Sequence, residues 1–142
     1  MPAPEHLIGR QERLEHMFSH IMIGANDLDA SKKFYDAALG ALGVAPGKID
    51  DKGRVFYRTK TGVFALTKPI NGNAATFANG GTIGFACESP DVAAAWHAAG
   101  VAHGGASCEE PPGWREGAFG KLYLAYLRDP SGNKICALHR GA

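Results

Sequence analysis

Three side chains of this sequence are suited to chemistry by their type and setting: His20, Arg115 and Cys136. His20 stands inside the apolar run Phe18-Ser19-His20-Ile21-Met22-Ile23-Gly24. An imidazole there can move a proton, ligate a metal, or line a cavity with its nitrogens hydrogen-bonded. Cys136 stands in Ile135-Cys136-Ala137-Leu138. Its thiol is a nucleophile or ligand if a neighbour such as His20 lowers its pKa, and otherwise packs like a small hydrophobe. Arg115 belongs to Pro111-Pro112-Gly113-Trp114-Arg115-Glu116, where a guanidinium can grip a carboxylate or phosphate through two parallel hydrogen bonds. Trp114 would stack on the same ligand or fill the loop. The alternative for Arg115 is an exposed pair with Glu116 or Glu110.

Composition narrows the partner. The chain has 142 residues, 45% hydrophobic and 20% charged, enough for one compact domain with an ordinary core. Fifteen basic against fourteen acidic residues leave a formal charge of +1, which gives no electrostatic footprint for nucleic acid or an anionic membrane. The expected partner is a small molecule. The apolar runs are short and the first residues lack a basic stretch followed by an apolar one, so a cytoplasmic protein is expected. Three cysteines without a C-x-x-C pair suggest neither a disulfide framework nor a zinc ribbon.

The elements that position these residues follow from period and punctuation. Residues 1–16 show no strong period and read as an N-terminal extension. The strand through His20 leads to Asp27, an N-cap for a helix from Leu28 to Leu39 that Gly40 ends, with Ser31, Phe34, Tyr35 and Ala38 on its buried stripe. A weak strand near Val44, a turn from Lys48 to Gly53, and strands Arg54–Thr59 and Gly62–Thr67 complete a first half. Arg54, Phe56 and Arg58 share one face of their strand, which is therefore basic. After a turn-rich connector, Thr82–Cys87 is a strand, and Ser89 and Pro90 open a helix that Gly100 stops, with Val92, Ala95 or Trp96, and Ala99 buried. A strand near Val101 and a lid-like loop from His103 to Gly120 follow. Leu122 to His139 form a hairpin around Asp129-Pro130-Ser131-Gly132-Asn133.

Laying His20-Ile21-Met22-Ile23 over Thr82-Ile83-Gly84-Phe85, and Phe64-Ala65-Leu66 over Cys136-Ala137-Leu138, aligns both halves about their helices. The order β, α, β, β, β occurs twice, and pairing the halves covers the sheet face that each alone would expose.

Asp129-Pro130-x-Gly132-Asn133-x-Ile135 resembles the last hairpin of the vicinal oxygen chelate superfamily, the glyoxalase, bleomycin-resistance and extradiol-dioxygenase group. The resemblance implies an α+β fold of paired βαβββ modules, about 17–69 and 80–140, forming a curved-sheet cleft within one domain over 17–142. It also implies a homodimer, since sheets in that superfamily commonly complete one another between chains. In metal-dependent members each half supplies one ligand from its first strand and one from its last, and the matching positions are His20, Phe64, Thr82 and Cys136. The residue after the Ile is usually a metal-binding Glu, where this chain has Cys136. The expectation is therefore no resident cofactor, and at most a weakly held divalent ion on His20 and Cys136. His20 is the catalytic candidate, and Arg115, Trp114, Phe64, Thr82 and Cys136 are the substrate-contact candidates. The resemblance points to a lyase- or isomerase-like or dioxygenase-like protein acting on, or binding, a small anionic metabolite. The alternatives are a metal-free protein that sequesters a drug, as the bleomycin-resistance branch does, and a structural or regulatory dimer.

Overall fold

A computed structural model describes residues 17–118 and 120–141. Asp27 caps the first helix, α1 (Leu28–Ala41), its carboxylate accepting from Ala30 N at 3.0 Å. Ser89 caps the second, α2 (Pro90–Ala102), by accepting from Val92 N at 3.2 Å, and Pro90 stands where its missing donor costs nothing. Around each helix the chain lays down one sheet.

The first sheet runs β1 (His20–Gly24), β4 (Gly62–Thr67), β3 (Val55–Thr59), β2 (Lys48–Ile49), with β1 parallel to β4 and the other pairs antiparallel. The second runs β5 (Ile83–Ala86), β9 (Lys134–Arg140), β8 (Gly120–Arg128), β6 (Ala106–Ser107), with β7 (Gly113–Gly117) further along the same edge of β8. Again the first strand is parallel to the last. This is the α+β fold of two βαβββ modules that the duplicated pattern predicts.

One core joins the modules. Phe34, Tyr35 and Ala38 of α1 pack with Val55, Tyr57, Phe64 and Leu66 of the first sheet, and the cluster continues through Ala93 and Trp96 of α2 into Ala125, Leu127, Ile135 and Ala137 of the second. Period-2 alternation sets these faces: Ile21, Phe64 and Tyr57 stand in one row by register, and Ile23, Leu66 and Val55 in another. No helix among the described residues is long and apolar enough to cross a membrane.

Several elements differ from the sequence expectation. The strand expected near Val44 forms at Lys48–Ile49 instead, because Asp50 tightens the following turn by accepting from Lys52 N at 3.0 Å and Arg54 N at 2.9 Å. Gly100 does not stop α2, which runs on to Ala102 and buries Ala93, Trp96 and Gly100. Packing decides this glycine: a Cβ on it would lie 2.4 Å from Leu127 Cδ1 and 3.0 Å from Phe34 Cε1. Val101 is accordingly helical. The stretch from His103 to Gly120 is no lid, since β6 and β7 pair antiparallel with β8 and form an edge strand interrupted between them. Pro111 and Pro112 cannot donate to a ladder, and Glu109 there takes a left-handed φ of 56°, so the edge breaks at that point.

Candidate functional site

The modules meet along a seam where β1 and β4 approach β5, and a cavity of about 250 Å³ opens there. Its walls come from both sides: His20, Ile21, Tyr57 and Phe64 from the first module, and Gly84 and Phe85 from the second. Thr59 and Thr61 add hydroxyls. The lining is mostly apolar, so an imidazole at its edge is conspicuous.

His20 is the first residue of β1 and is exposed. Its Nδ1 lies 2.8 Å from Ser19 Oγ, which holds the ring, and among the described residues Nε2 has no hydrogen-bond partner. Register places His20 in a row with Val63 and Arg58 across the sheet. Two strand spacings separate His20 from Arg58, about 10 Å. Arg58 and Arg54 both lie over the Phe56 ring, at 5.7 Å and 5.3 Å, so this strand face is basic as the sequence suggests. Arg54 is partly neutralised by Asp50, 2.6 Å away.

Phe64 pairs with Ile21, not with His20, and therefore faces the core. Its ring lies 4.9 Å from Tyr35 and 5.3 Å from Phe85, and it bounds the cavity from within. In the second module Cys136 pairs with Gly84, as Ala65 pairs with Met22 in the first, so Ala65 rather than Phe64 is the counterpart of Cys136. A one-residue slip in register exchanges the two faces.

Thr82 is exposed, just before β5. Cys136 is buried behind Gly84, whose missing side chain matters because a Cβ there would sit 3.2 Å from Cys136 Sγ. Arg115 and Trp114 lie on β7, three strands from β5 and so about 14 Å across the sheet. Arg115 donates to the Pro111 carbonyl at 2.9 Å, and Trp114 turns to the opposite face, edge-on to Tyr123 at 5.5 Å. The seam thus gathers His20 and Phe64, adjoins Cys136 and Thr82, and leaves Arg115 and Trp114 at the far edge.

These positions can be set beside known proteins. The Glyoxalase/Bleomycin resistance protein/Dioxygenase superfamily matches residues 17–137. The chain belongs to this superfamily. It is similar to a glyoxalase/bleomycin resistance protein from Albidiferax ferrireducens T118, with 64% identity and a TM-score of 0.85 over 87% of this chain and 99% of that one. A glyoxalase-related enzyme from Fulvimarina pelagi shares the fold at 22% identity and a TM-score of 0.66, covering 87% of each chain. A lactoylglutathione lyase from Agrobacterium tumefaciens does so at 19% identity and a TM-score of 0.60, over 86% of this chain and 92% of that one. No curated protein matches the sequence.

The metal that many members of the superfamily carry needs three or more donors, and the donor set here does not fit it. Ala65 has no donor atom, and Thr82 offers only a neutral hydroxyl. Burial pushes the Cys136 thiol up to about 11, against the pull of Lys134 and with a further push from Glu109. Among the described residues no three His, Cys, Asp or Glu side chains come together as a metal site.

That thiol is also a poor nucleophile. At pH 8 its thiolate fraction is small enough that iodoacetamide should modify Cys136 roughly tenfold to a hundredfold more slowly than an unperturbed thiol. Mass spectrometry of the alkylated peptides checks this, and modification of Cys136 at the rate of a free thiol would restore it as a nucleophile candidate. Sequence reading missed Ser19, Gly84 and Tyr57 as parts of the site. Only Gly84, a glycine inside a strand, carried a signal, because such a residue marks close approach.

Proposed function

We propose that this superfamily member takes a small anionic metabolite into the seam between its modules and handles it with its own side chains. The observation that carries the reading is His20 at the cavity edge, its Nδ1 within hydrogen-bond distance of Ser19 Oγ. An imidazole at the rim can donate to an anionic head, and the apolar wall takes the rest of the molecule. An imidazole with one nitrogen held and the other open is also arranged for general acid–base work, so His20 is the residue on which turnover of a bound ligand would depend.

Calorimetric titration of the full chain against small carboxylates, phosphates and cationic drugs tests the reading. His20→Ala should weaken anion binding about tenfold, one charge-assisted hydrogen bond's worth, and Arg58→Ala should leave it within about twofold, because Arg58 stands on the sheet face opposite Phe64 and Tyr57. Arg115→Ala should leave it within about twofold, because β7 lies too far across the sheet for a direct contact. A large loss at Arg115 with none at His20 would move the ligand to the outer edge of the second sheet. Tight binding of a cation, indifferent to all three substitutions, would replace the proposal with the drug-sequestering alternative.

A further inference from the structure

Resting on the anion reading above, we infer that the seam cavity is built for an aromatic ring, so that its ligand is a monocyclic aryl carboxylate or a close relative. Volume admits a ring. A dry cavity of about 150 Å³ lined by apolar side chains accommodates benzene. The seam, at about 250 Å³, has room for one ring, and its open side leaves a polar substituent in reach of solvent.

The walls then select the kind of occupant. Phe64 and Phe85 meet edge to face, 5.3 Å apart at 86°, and Tyr57 lies tilted against Phe64 at 6.2 Å. Tyr57 contributes only its ring, because its hydroxyl is already engaged, donating to Asp36 at 2.8 Å. Tyr57 and Phe64 are both buried, and Tyr57 and Phe64 each pack on Tyr35 as well, which fixes the floor of the cavity. Phe18, which is exposed, closes the outer side. A rigid aromatic guest gains edge-to-face contacts with such walls and loses no rotamer freedom on entry, whereas a flexible chain of equal size loses that freedom. Of the polar lining residues, Thr59 and Thr61 have their hydroxyls 3.3 Å apart, and Thr59 pairs with Gly62 beside the Val63 that pairs with His20, which orients the substituent to that end.

The test compares probes of known chemistry on the full chain: benzoate, cyclohexanecarboxylate, acetate and benzyl alcohol, followed by the amide signal of Gly84 and the imidazole signals of His20 in NMR titrations. Benzoate should bind about tenfold to a hundredfold more tightly than acetate and a few-fold more tightly than cyclohexanecarboxylate. Thr59→Phe adds a ring at an exposed lining position, on the face of β3 that carries Tyr57, and should bring benzoate down to the level of acetate. Phe18→Ala, also at an exposed position, should weaken benzoate more than acetate. Equal affinities for all three carboxylates, each reduced by His20→Ala, would overturn the aryl inference and leave the anion reading intact. Benzyl alcohol binding as well as benzoate, with no effect of His20→Ala, would overturn the anion reading and keep the ring site. No shift at Gly84 with any probe would overturn both.

Discussion

Asp129→Ala should lower the unfolding free energy by about 3–5 kcal/mol, the cost of breaking a buried polar network rather than one bond. The carboxylate of Asp129 is buried and saturated with donors. Oδ1 accepts from Ser131 N and Asn133 N, both at 2.9 Å, and Oδ2 accepts from Tyr35 OH at 2.7 Å and Asn133 Nδ2 at 2.9 Å. Asn133 Nδ2 reaches on to the Gly24 carbonyl at 2.9 Å, and Ser131 Oγ accepts from Asn26 N at 3.0 Å. The turn of the last hairpin is therefore a fastener that ties the second module to α1 and to the end of β1 in the first. Removing the carboxylate orphans the Tyr35 hydroxyl inside the core, at about 1–3 kcal/mol by itself. Burial, and then the Asp129 charge and hydrogen bond, push the Tyr35 phenol well above its ordinary range, so it remains a donor at working pH. Thermal unfolding should show a fall of roughly 10–20 °C for Asp129→Ala, and chemical denaturation should show only about 1–2 kcal/mol for Tyr35→Phe, which leaves Asp129 three donors. A loss below about 1 kcal/mol for Asp129→Ala would mean that the modules are held by apolar packing alone.

This turn also shows how far the sequence could be read. Asp129-Pro130-Ser131-Gly132-Asn133 is legible as a turn because each residue type has a local reason to be there, and Gly132 takes the positive φ of 89° that the pattern requires. That Asp129 binds Tyr35, ninety-four positions away, is invisible until the two are brought together. The same division holds elsewhere. Period 2 assigns Ile21 and Ile23 to one face without fixing which residue of β4 lies beside them, so the sequence alignment chose Phe64 where the register puts Ala65. Gly100 and the stretch through Pro111 and Pro112 misled for a related reason. Glycine and proline announce a local preference, and at both places tertiary contacts with β8 decided the outcome. His20 was legible as a polar residue in an apolar strand, but Arg115, in a loop by its composition, was placed near it only by analogy and stands at the far edge of another sheet.

Phe34→Ala should cost about 3–5 kcal/mol, the range for truncating a fully buried aromatic residue that neighbours cannot collapse onto. The ring of Phe34 is completely buried and meets Tyr35 edge to face at 4.8 Å and 89°. Two glycines of the second module make its seat: a Cβ on Gly105 would lie 2.3 Å from Phe34 Cε1, and one on Gly100 would lie 3.0 Å from it. The joint can therefore be stressed from either side. Gly105→Ala should destabilise by about 1–3 kcal/mol, because its Cβ would also meet the Gly100 and Arg128 carbonyl oxygens, at 2.9 Å and 3.1 Å, and backbone atoms cannot turn aside. Gly100→Ala should cost less, since its clash is with side-chain ends, Leu127 Cδ1 and the Phe34 ring, and not with backbone, and a helical alanine regains up to about 1 kcal/mol. If the Phe34 ring is what Gly105 makes room for, the double variant Phe34→Ala, Gly105→Ala should be more stable than the sum of the single losses by at least about 1 kcal/mol. Strict additivity in chemical denaturation would show that the backbone oxygens, and not the ring, require glycine at 105. A Phe34→Ala loss below about 1.5 kcal/mol would show that α1 is not anchored to the second module through this ring.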